Sequence, residues 1–370
     1  MYYFDYAATA PMTEKAQVVL FNAQKEFWGN PSSLHEFGQK ARQLIEYCRK
    51  QTAQALGILA SELIFTSGGS ESNELALACA LKKCRLDAHI LVSPLEHASI
   101  FHYLHQQGRA FEYLTLDQGQ VTPESLKKQL QAKTQLVIVQ QVNSVTGVIQ
   151  PIEELLQVLP KQVMFHCDCV QSLGKMPLPQ GVTSWSGASH KFGGGKGVGY
   201  LYLNQAAMFV PKYDSTQETG FRNGTENVPA IAAATEALLE NLKEQGRHAL
   251  RYEGFKQLLK KHLPNWEMVD IKPTYGGICG IYVPDLKGET VVVRLGEKQV
   301  MLSTSSACQT HRKVDSALTA LGVNAEKGER YLRISFGPAH QTADVLFLAQ
   351  CLQELNYPTL QILSVEGGDS

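Results

Sequence analysis

The sequence predicts an α/β protein, with a large domain built on a mainly parallel sheet and a smaller α+β domain. From about residue 60, short apolar runs alternate with longer amphipathic runs, which is the pattern of repeated strand–helix units. After a long helical stretch the order of the elements changes. With 370 residues, 44% of them hydrophobic and 19% charged, the chain has the composition of a globular protein with a large core.

The large domain is predicted at residues 12–250. Leu136 to Val139 is apolar throughout, as in a strand buried on both faces, and Thr122 and Pro123 are typical of a helix start. In chain order the predicted elements are strand 63–66, helix 71–81, strand 90–92, helix 97–107, strand 111–116, helix 123–132, strand 136–139, helix 151–159 and strand 163–165.

The small domain is predicted at residues 1–11 and 251–370. Residues 231–263, rich in Ala, Leu, Glu and Lys, predict the helix that carries the chain into it. The elements that follow are strand 280–283, helix 289–295, strand 300–302, helix 314–321, strand 331–336 and helix 343–355. The short polar tail 365–370 is expected to fray.

Charge and cysteine usage limit the possible functions. A net charge of -1 argues against nucleic acid or an anionic membrane as the main partner. No apolar run is long enough to span a bilayer, and the N-terminus has no targeting pattern. Eight scattered cysteines indicate reduced thiols in the cytoplasm. Cys167 and Cys169 form a C-x-C without a second pair, so no metal site is expected.

Ser189, His190 and Lys191 stand directly before the glycine-rich loop 193–197. A lysine fixed beside polar residues suits a Schiff base with an aldehyde cofactor, and pyridoxal phosphate (PLP) is the usual one. A plain turn is the alternative. Asp168, upstream at the end of an apolar run, is placed to keep a pyridine nitrogen protonated. Together the two residues indicate an enzyme.

Residues 67–73 join a predicted strand to a helix and contain Gly69 and Ser70. Glycines let the backbone approach closely, and the free amides of a helix start bind anions, so this turn is a candidate phosphate site. The alternative is a tight turn with Ser70 as the cap. The chain has neither a Walker pattern nor a G-x-G-x-x-G fingerprint.

His97 and Gln171 are candidates for contact with the cofactor ring. His97 follows a strand, where α/β sheets place ligands, and its imidazole suits stacking and proton transfer near neutral pH. A packed histidine at a helix start is the alternative. Gln171 is placed to donate to a ring hydroxyl, although a turn residue fits as well.

Cys308 lies in the small, polar segment 303–311, which is expected to be exposed. A thiol there can ionise and act as a nucleophile, with His311 and Arg312 as candidate helpers; an incidental surface cysteine is the alternative. Arg333, on a strand between apolar residues, suits a carboxylate ligand or an internal salt bridge.

These motifs, in order, resemble the cysteine desulfurases of the NifS/IscS type, in the class V aminotransferase group of fold-type I PLP enzymes. The resemblance covers nearly the whole chain and implies a seven-stranded, mainly parallel sheet. The segments that carry it are 5–9, 29–35, 65–73, 96–97, 168–171, 190–191, 222–227, 306–308 and Arg333.

The resemblance implies specific roles for the candidate residues. Lys191 would bond the PLP aldehyde, Asp168 would pair with the pyridinium, Gln171 would meet the ring oxygen, and His97 would stack on the ring. Gly69, Ser70, His190 and Ser189 would hold the phosphate, with Thr225 reaching in from the other subunit of a homodimer. Arg333 and Asn30 would bind L-cysteine, and Cys308 would take its sulfur as a persulfide and release L-alanine.

The sulfur would pass to an acceptor protein, either a scaffold or a tRNA-thiolation enzyme, for iron–sulfur cluster, thio-tRNA or cofactor synthesis. Some positions depart from the family pattern. Asn143, Ser144 and Val145 replace Asn-Asn-Glu, and Asn143 is predicted to take over the ring contact. Ala188 stands where a serine is usual, so the phosphate hydroxyl is expected from Ser189 or lost.

Thr219 and Gly195 also depart from the family pattern, in place of an arginine and a proline. These departures are expected to change the rate of the reaction and the affinity for the phosphate more than the type of reaction. The alternatives to a desulfurase are a selenocysteine lyase, an aminotransferase, which would not need Cys308, and a PLP-binding scaffold without turnover.

Overall fold

The computed structural model describes residues 1–269, 271, 273–304 and 315–355. The strands are β1 (Tyr2–Tyr3), β2 (Leu63–Thr66), β3 (His89–Val92), β4 (Glu112–Tyr113), β5 (Leu116–Asp117), β6 (Gln120–Val121), β7 (Thr134–Ile138), β8 (Met164–Asp168), β9 (Ser184–Ala188), β10 (Gly199–Leu203), β11 (Glu267–Met268), β12 (Ile278–Tyr282), β13 (Val300–Met301) and β14 (Tyr331–Ser335). The helices are α1 (Glu14–Glu26), α2 (Glu36–Leu56), α3 (Gly69–Lys83), α4 (Ala98–Gln106), α5 (Pro123–Gln129), α6 (Ile152–Val158), α7 (Val228–His262), α8 (Gly288–Glu297), α9 (Ser316–Ala320), α10 (Ala325–Glu329) and α11 (Thr342–Glu354).

A seven-stranded sheet forms the centre of the molecule, with strand order β2-β10-β9-β8-β7-β3-β4. Only β10 runs antiparallel to its neighbours β2 and β9, and the other pairs within this sheet are parallel. The predicted α/β fold with a mainly parallel sheet is therefore confirmed. In such a sheet the carboxyl ends of the parallel strands meet at one edge, where ligands bind.

Where the structure differs from the predicted elements, local geometry gives the reason. The predicted strand 111–116 is split, since β5 leaves the sheet and pairs with β6 in a hairpin. Gln118 and Gly119 both have positive φ, of 46° and 83°, as a two-residue hairpin turn requires. The helix predicted at 123–132 ends at Gln129. In addition, α1 and α2 precede the segment in which elements were predicted.

The long helix α7 connects two hydrophobic clusters. Its first part, including Ile231 and Leu238, packs in the cluster under the large sheet. Its last part, including Phe255 and Leu259, packs against Phe4 and the three-stranded sheet β11-β12-β14. The N-terminal segment thus packs with the C-terminal part of the chain, while the domain boundaries themselves stay a prediction. None of the helices in the described ranges is long and apolar enough to cross a membrane.

A buried ion pair ties the segment before α7 to strand β2. Arg49 donates to both carboxylate oxygens of Glu218 at 2.7 and 2.9 Å and to the carbonyl of Leu63 at 2.7 Å. Glu218 also accepts from the backbone amide of Phe65 at 2.7 Å. Glu218 and Thr219 both have positive φ, of 41° and 52°, a conformation that costs energy in residues other than glycine. The ion pair holds this strained turn.

Replacing Glu218 with alanine is expected to destabilise the protein by about 3 kcal/mol, because it removes the buried carboxylate that pairs with Arg49 and leaves this guanidinium only the exposed Glu46. Denaturant unfolding followed by circular dichroism measures the change. Glu36→Ala, which removes the exposed Glu36–Lys40 pair, is the control and should have little effect. Equal effects of the two substitutions would contradict the structural importance of the buried pair.

Candidate active site

A cavity of about 260 Å³ opens at the carboxyl edge of the large sheet, where β8 and β9 end. The N-terminal segment, the start of α3 and β14 supply its other walls. The structure brings together eight of the residues predicted for the site, although they are scattered along the sequence between Gly69 and Arg333. These eight are Gly69, Ser70, His97, Asp168, Gln171, His190, Lys191 and Arg333.

Asp168 is the last residue of β8, and its carboxylate is fixed by two hydrogen bonds. Asn73 donates to Oδ2 at 2.9 Å, and the backbone amide of Val170 donates to Oδ1 at 2.9 Å. Asn73 is held in turn by the ring of His166, which forms hydrogen bonds with Asn73 at 3.1 Å and with Ser184 at 2.9 Å. Burial lowers the pKa of His166 to about 4, so this imidazole is neutral at physiological pH. The network presents a rigid carboxylate at the cavity.

The role of Asn73 was not singled out from the sequence. It lies one helical turn after Gly69 on α3, so the helix that starts at the candidate phosphate turn also reaches Asp168. The sequence signal for this role is a polar residue on the face of a helix that is otherwise buried, and Asn73 is indeed only 1% exposed.

Lys191 ends a short 3₁₀ turn, Ser189–Lys191, directly after β9. Its Nζ donates to the carbonyl oxygens of Ala7 and Ala8 at 2.6 and 2.9 Å. The lysine therefore reaches across the cavity floor to the N-terminal segment, and Asp168 lies on the same cavity. The amine and the carboxylate are thus presented to one ligand.

Helix α3 begins at Gly69 without a side-chain cap. The backbone N–H groups of its first turn are therefore available to donate hydrogen bonds to an anion. A Cβ atom at Gly69 would lie 2.5 Å from Cγ2 of Val170, which leaves no space for a larger residue. Ser70 lines the cavity beside it. The alternative prediction, in which Ser70 caps the helix, has no support, because the N-cap residue is Gly68.

His190 and Ser189 occupy different environments. His190 lines the cavity, and burial, followed by the charge of Lys191, lowers its pKa to about 4. The Ser189 hydroxyl instead donates to the carbonyls of Gly195 at 2.6 Å and Val198 at 2.9 Å. Ser189 thus shapes the glycine-rich loop, and its role in phosphate binding stays a prediction.

His97 is the N-cap of α4, and its Nδ1 accepts from the backbone amide of Ser99 at 3.2 Å. The Ser99 hydroxyl lies 2.9 Å from the same nitrogen and accepts from Asn73 at 3.1 Å. The predicted helix start is thus formed and His97 also lines the cavity, while its stacking on the cofactor ring stays a prediction. Its ring is held by the network that fixes Asp168.

Glu96, which precedes His97, is a buried acid that was not predicted as a site residue. Its Oε1 accepts from the backbone amide of Gln140 at 2.5 Å, while Oε2 has no partner in the described part of the chain. Burial, followed by the charge of Asp168, raises the pKa of Glu96 well above its usual value. The raised pKa favours the protonated form of Glu96.

Arg333 lies on β14 and is 1% exposed. One Nη donates to Asp5 Oδ1 at 2.7 Å and the other to the carbonyl of Ser144 at 3.1 Å. The internal salt bridge, one of the two predicted alternatives, is thus formed. The guanidinium also lines the cavity, and its Nε has no partner among the described residues.

Gln171 is buried beside the N-terminal segment. Its Nε2 donates to the carbonyl of Ala7 at 2.9 Å, and its Oε1 accepts from Lys175 Nζ at 3.3 Å. The amide is therefore held from both ends at the edge of the cavity. Lys175, like Asn73, was not singled out from the sequence.

Besides Ser189, three predicted site residues in the described part of the chain do not line this cavity. Asn143 accepts from the amides of Val145 and Thr146 at 3.1 and 2.8 Å, so its side chain forms a local turn. Asn30 accepts from Ser32 at 2.9 Å, and Asn30 and Thr225 are both exposed. The roles assigned to Asn143, Asn30 and Thr225 stay predictions.

Cys308, with His311 and Arg312, lies outside the described residues. The residues that flank this segment can be placed. Ser303 pairs with Arg333, as the amide of Arg333 donates to its carbonyl at 2.6 Å. Asp315 lines a smaller cleft together with Glu96 and His97. Both flanks thus lie next to residues of the cavity.

The residues around the cavity fit PLP. A site for PLP must hold an anionic phosphate, a pyridine nitrogen and an aldehyde. The uncapped start of α3 at Gly69, the fixed carboxylate of Asp168 and the amine of Lys191 match these groups in turn. Within the described ranges, no cluster of three His, Cys, Asp or Glu residues forms that could hold a metal ion.

Comparison with known proteins agrees with this geometry. The Aminotransferase class-V family model matches residues 2–348. The putative cysteine desulfurase NifS of Bacillus subtilis is 36% identical over 364 residues, which cover 94% of this chain and 92% of the relative. The cysteine desulfurase IscS of Dictyoglomus turgidum is 34% identical, with coverage of 98% and 93%.

Solved structures show the same fold. A NifS-like protein superposes with a TM-score of 0.89 at 27% identity, covering 96% of this chain and 98% of that one. SspA in complex with cysteine superposes with a TM-score of 0.79 at 27% identity, covering 91% and 99%. The chain belongs to the class-V aminotransferase family of fold-type I PLP enzymes, in the group of the NifS/IscS cysteine desulfurases.

Proposed function

We propose that this protein is a PLP-dependent cysteine desulfurase that converts L-cysteine to L-alanine and leaves a persulfide on Cys308. One observation carries the proposal: Lys191, Asp168 and Arg333 line a single cavity. The relatives named above as cysteine desulfurases, and SspA, whose structure contains cysteine, support this substrate.

The ionisable side chains of the cavity have different proposed roles. When bound, PLP withdraws electrons from the substrate and makes its Cα proton acidic. Asp168 would pair with the ring nitrogen of PLP and favour its charged form, and the Lys191 amine would take the Cα proton. Arg333 binds the substrate carboxylate with the N–H groups that Asp5 and Ser144 leave free. His97, fixed by Ser99, would contact the cofactor ring and could move protons near the substrate sulfur.

Sulfur transfer is a displacement at the substrate sulfur. The Cys308 thiolate attacks this atom, the S–S bond forms as the Cβ–S bond breaks, and the carbon gains a proton. Atoms balance, because L-cysteine and one thiol give L-alanine and one persulfide. Cys308 lies four residues beyond Thr304, a span of at most ~14 Å, and Thr304 directly follows the residue that pairs with Arg333.

A homodimer completes the proposed site. Large apolar side chains are exposed on and beside α1 and α2, including Val18, Phe21, Trp28 and Tyr47. Burial of such side chains is a common reason for subunit association. Thr225 is exposed on its loop, so it is free to contribute to the phosphate site of a partner subunit.

The persulfide must leave the enzyme for turnover to continue, so the partner is a sulfur-acceptor protein. A scaffold for iron–sulfur cluster assembly and a tRNA-thiolation enzyme are the two classes we propose. The seven described cysteines are all free thiols, which favours a reducing compartment such as the cytoplasm.

Cys308→Ala is expected to lower alanine release from L-cysteine by at least about 100-fold, because the sulfur loses its nucleophile. The assay measures alanine from PLP-loaded protein with a thiol reductant, which clears the persulfide. Cys84→Ala, which removes a different thiol, is the control and should stay within about threefold of wild type. Full alanine release by Cys308→Ala would contradict the persulfide step. Release only with an added keto acid would indicate an aminotransferase.

Arg333→Lys is expected to raise the KM for L-cysteine by about 10-fold or more, because an ammonium cannot give the paired N–H bonds of a guanidinium. Steady-state kinetics of alanine release measures KM and kcat separately. Lys327→Met, in which an exposed ion pair with Glu267 is lost, is the control. An unchanged KM in Arg333→Lys would mean that this arginine serves only its salt bridge with Asp5.

A further inference from the structure

A second cavity, of about 500 Å³, adjoins the proposed active-site cavity. Among the described residues that line the two cavities, only Ala7 and Lys191 are common to both. Phe192 contributes to the walls of the second cavity from the cluster under the large sheet, and Tyr252 contributes from the cluster around Phe4. The second cavity thus lies where two hydrophobic clusters meet, and its volume is typical of a site for a small molecule.

Lys175 gives the second cavity an amine without a counter-ion. Its side chain lines this cavity, and its Nζ donates to Gln171 Oε1 at 3.3 Å. Within the described ranges this is its one hydrogen bond, and no carboxylate pairs with it. An ammonium group has three N–H donors, of which this bond uses one. Because a charged amine away from bulk water is unfavourable without an anion, the position favours a negatively charged acceptor.

Two phenol groups of the second cavity add further donors. The hydroxyls of Tyr6 and Tyr275 have no hydrogen-bond partner among the described residues, and burial raises the pKa of both, so each keeps its proton. The Tyr275 hydroxyl is held at Gly277, where a Cβ atom would lie 2.8 Å from its oxygen, and Gly277 lines the same cavity. Since buried donors usually have a partner, these groups also favour a ligand that accepts hydrogen bonds.

The other charged groups of the second cavity do not provide Lys175 with a counter-ion. Besides Lys191, the titratable residues that line it are Glu14, Lys15, Glu240, Glu244, His248 and Tyr252. Glu240 pairs with Lys15 at 2.9 Å, Glu244 pairs with Arg247 at 3.3 Å, and Glu14 is exposed, where water screens its charge. Burial lowers the pKa of His248 and raises that of Tyr252, which favours the neutral form of each.

The protonation of Lys175 is sensitive to an anion in this cavity. Burial, followed by the charge of Lys191, lowers the pKa of Lys175 to about 7. A carboxylate beside Nζ would oppose this shift, because an opposite charge stabilises the protonated amine and raises its pKa. Binding of a carboxylate is therefore coupled to protonation of Lys175 and is expected to be strongest below about pH 7.

We propose that the second cavity is a binding site for a small carboxylic acid with an aromatic or other apolar body. The Lys175 amine binds the carboxylate, the hydroxyls of Tyr6 and Tyr275 are further donors, and the apolar body packs against Phe192 and Tyr252. A few polar groups among aromatic walls are typical of sites for such ligands. The proposal goes beyond the desulfurase activity and does not depend on it.

The test titrates 3-phenylpropionate into the full-length protein in buffer that contains PLP, and it follows binding by ligand-observed NMR. The titration is run at about pH 6, below the pKa of Lys175. The matched neutral probe is 3-phenylpropionamide, which has a similar shape and no charge. The wild-type protein is expected to bind the acid at least about tenfold more tightly than the amide, because hydrogen bonds to charged groups are the stronger ones. Equal affinities, or no binding of the acid, would overturn the proposal.

Variants then locate the bound acid. Lys175→Met should weaken binding of the acid by at least about tenfold and leave binding of the amide unchanged. Lys175→Gln is the charge-free variant if Lys175→Met does not fold. Lys327→Met, which removes an exposed lysine paired with Glu267, is the control and should bind both probes as the wild type does.

Arg333→Lys distinguishes the two cavities, because Arg333 lines only the active-site cavity. This variant should bind the acid as the wild type does. Loss of binding in folded Arg333→Lys would place the acid in the active-site cavity and overturn the proposal. Wild-type affinity for the acid in a folded, charge-free Lys175 variant would overturn it as well.

Discussion

Asp168 stands at the carboxyl end of β8, and the hydrogen bonds from Asn73 and Val170 fix its carboxylate in the cavity. The neighbouring groups depend on this arrangement. Burial, followed by the charge of Asp168, raises the pKa of Glu96, whereas burial lowers the pKa of His166 to about 4 against the opposing effect of the same carboxylate. Asn73 also connects the carboxylate to Ser99, which holds the ring of His97. Movement of Asn73 would therefore displace the carboxylate and the imidazole together.

The N-terminal segment is the second constraint on the site. Ala7 and Ala8 offer their carbonyls to Lys191, and Ala7 also holds Gln171, so the first residues of the chain orient groups that lie far along the sequence. The same segment reaches Arg333 through Asp5. Because Phe4 packs in the hydrophobic cluster of the C-terminal part, that cluster and the cavity are connected by a few residues of backbone. Loss of this packing would loosen both the lysine and the arginine.

Much of the fold and of the cavity was predictable from the sequence, for physical reasons. Residues 136–138 of β7 are apolar and buried, as expected of a strand covered on both faces of the sheet, and Lys191 and Asp168 stand next to recognisable turns. The strands β9 and β10 were not predicted. Ser186 and Gly187 interrupt the apolar pattern of β9, whereas β10 was missed although the four residues after Gly199 are apolar or aromatic. Asn73 was missed because its partners Ser99 and Asp168 are distant in sequence. Lys175 was missed because no sequence pattern marks its bond to Gln171. Only the folded chain shows that Arg333 is already paired with Asp5.

The central claim is that sulfur moves from L-cysteine to one particular thiol of this chain. The most direct measurement is mass spectrometry of peptides from PLP-loaded protein after reaction with L-cysteine in the absence of reductant. The account predicts that the peptide containing Cys308 becomes heavier by one sulfur atom and that a reductant reverses the change. Release of alanine with no added sulfur on Cys308, or with sulfur on another cysteine, would contradict it.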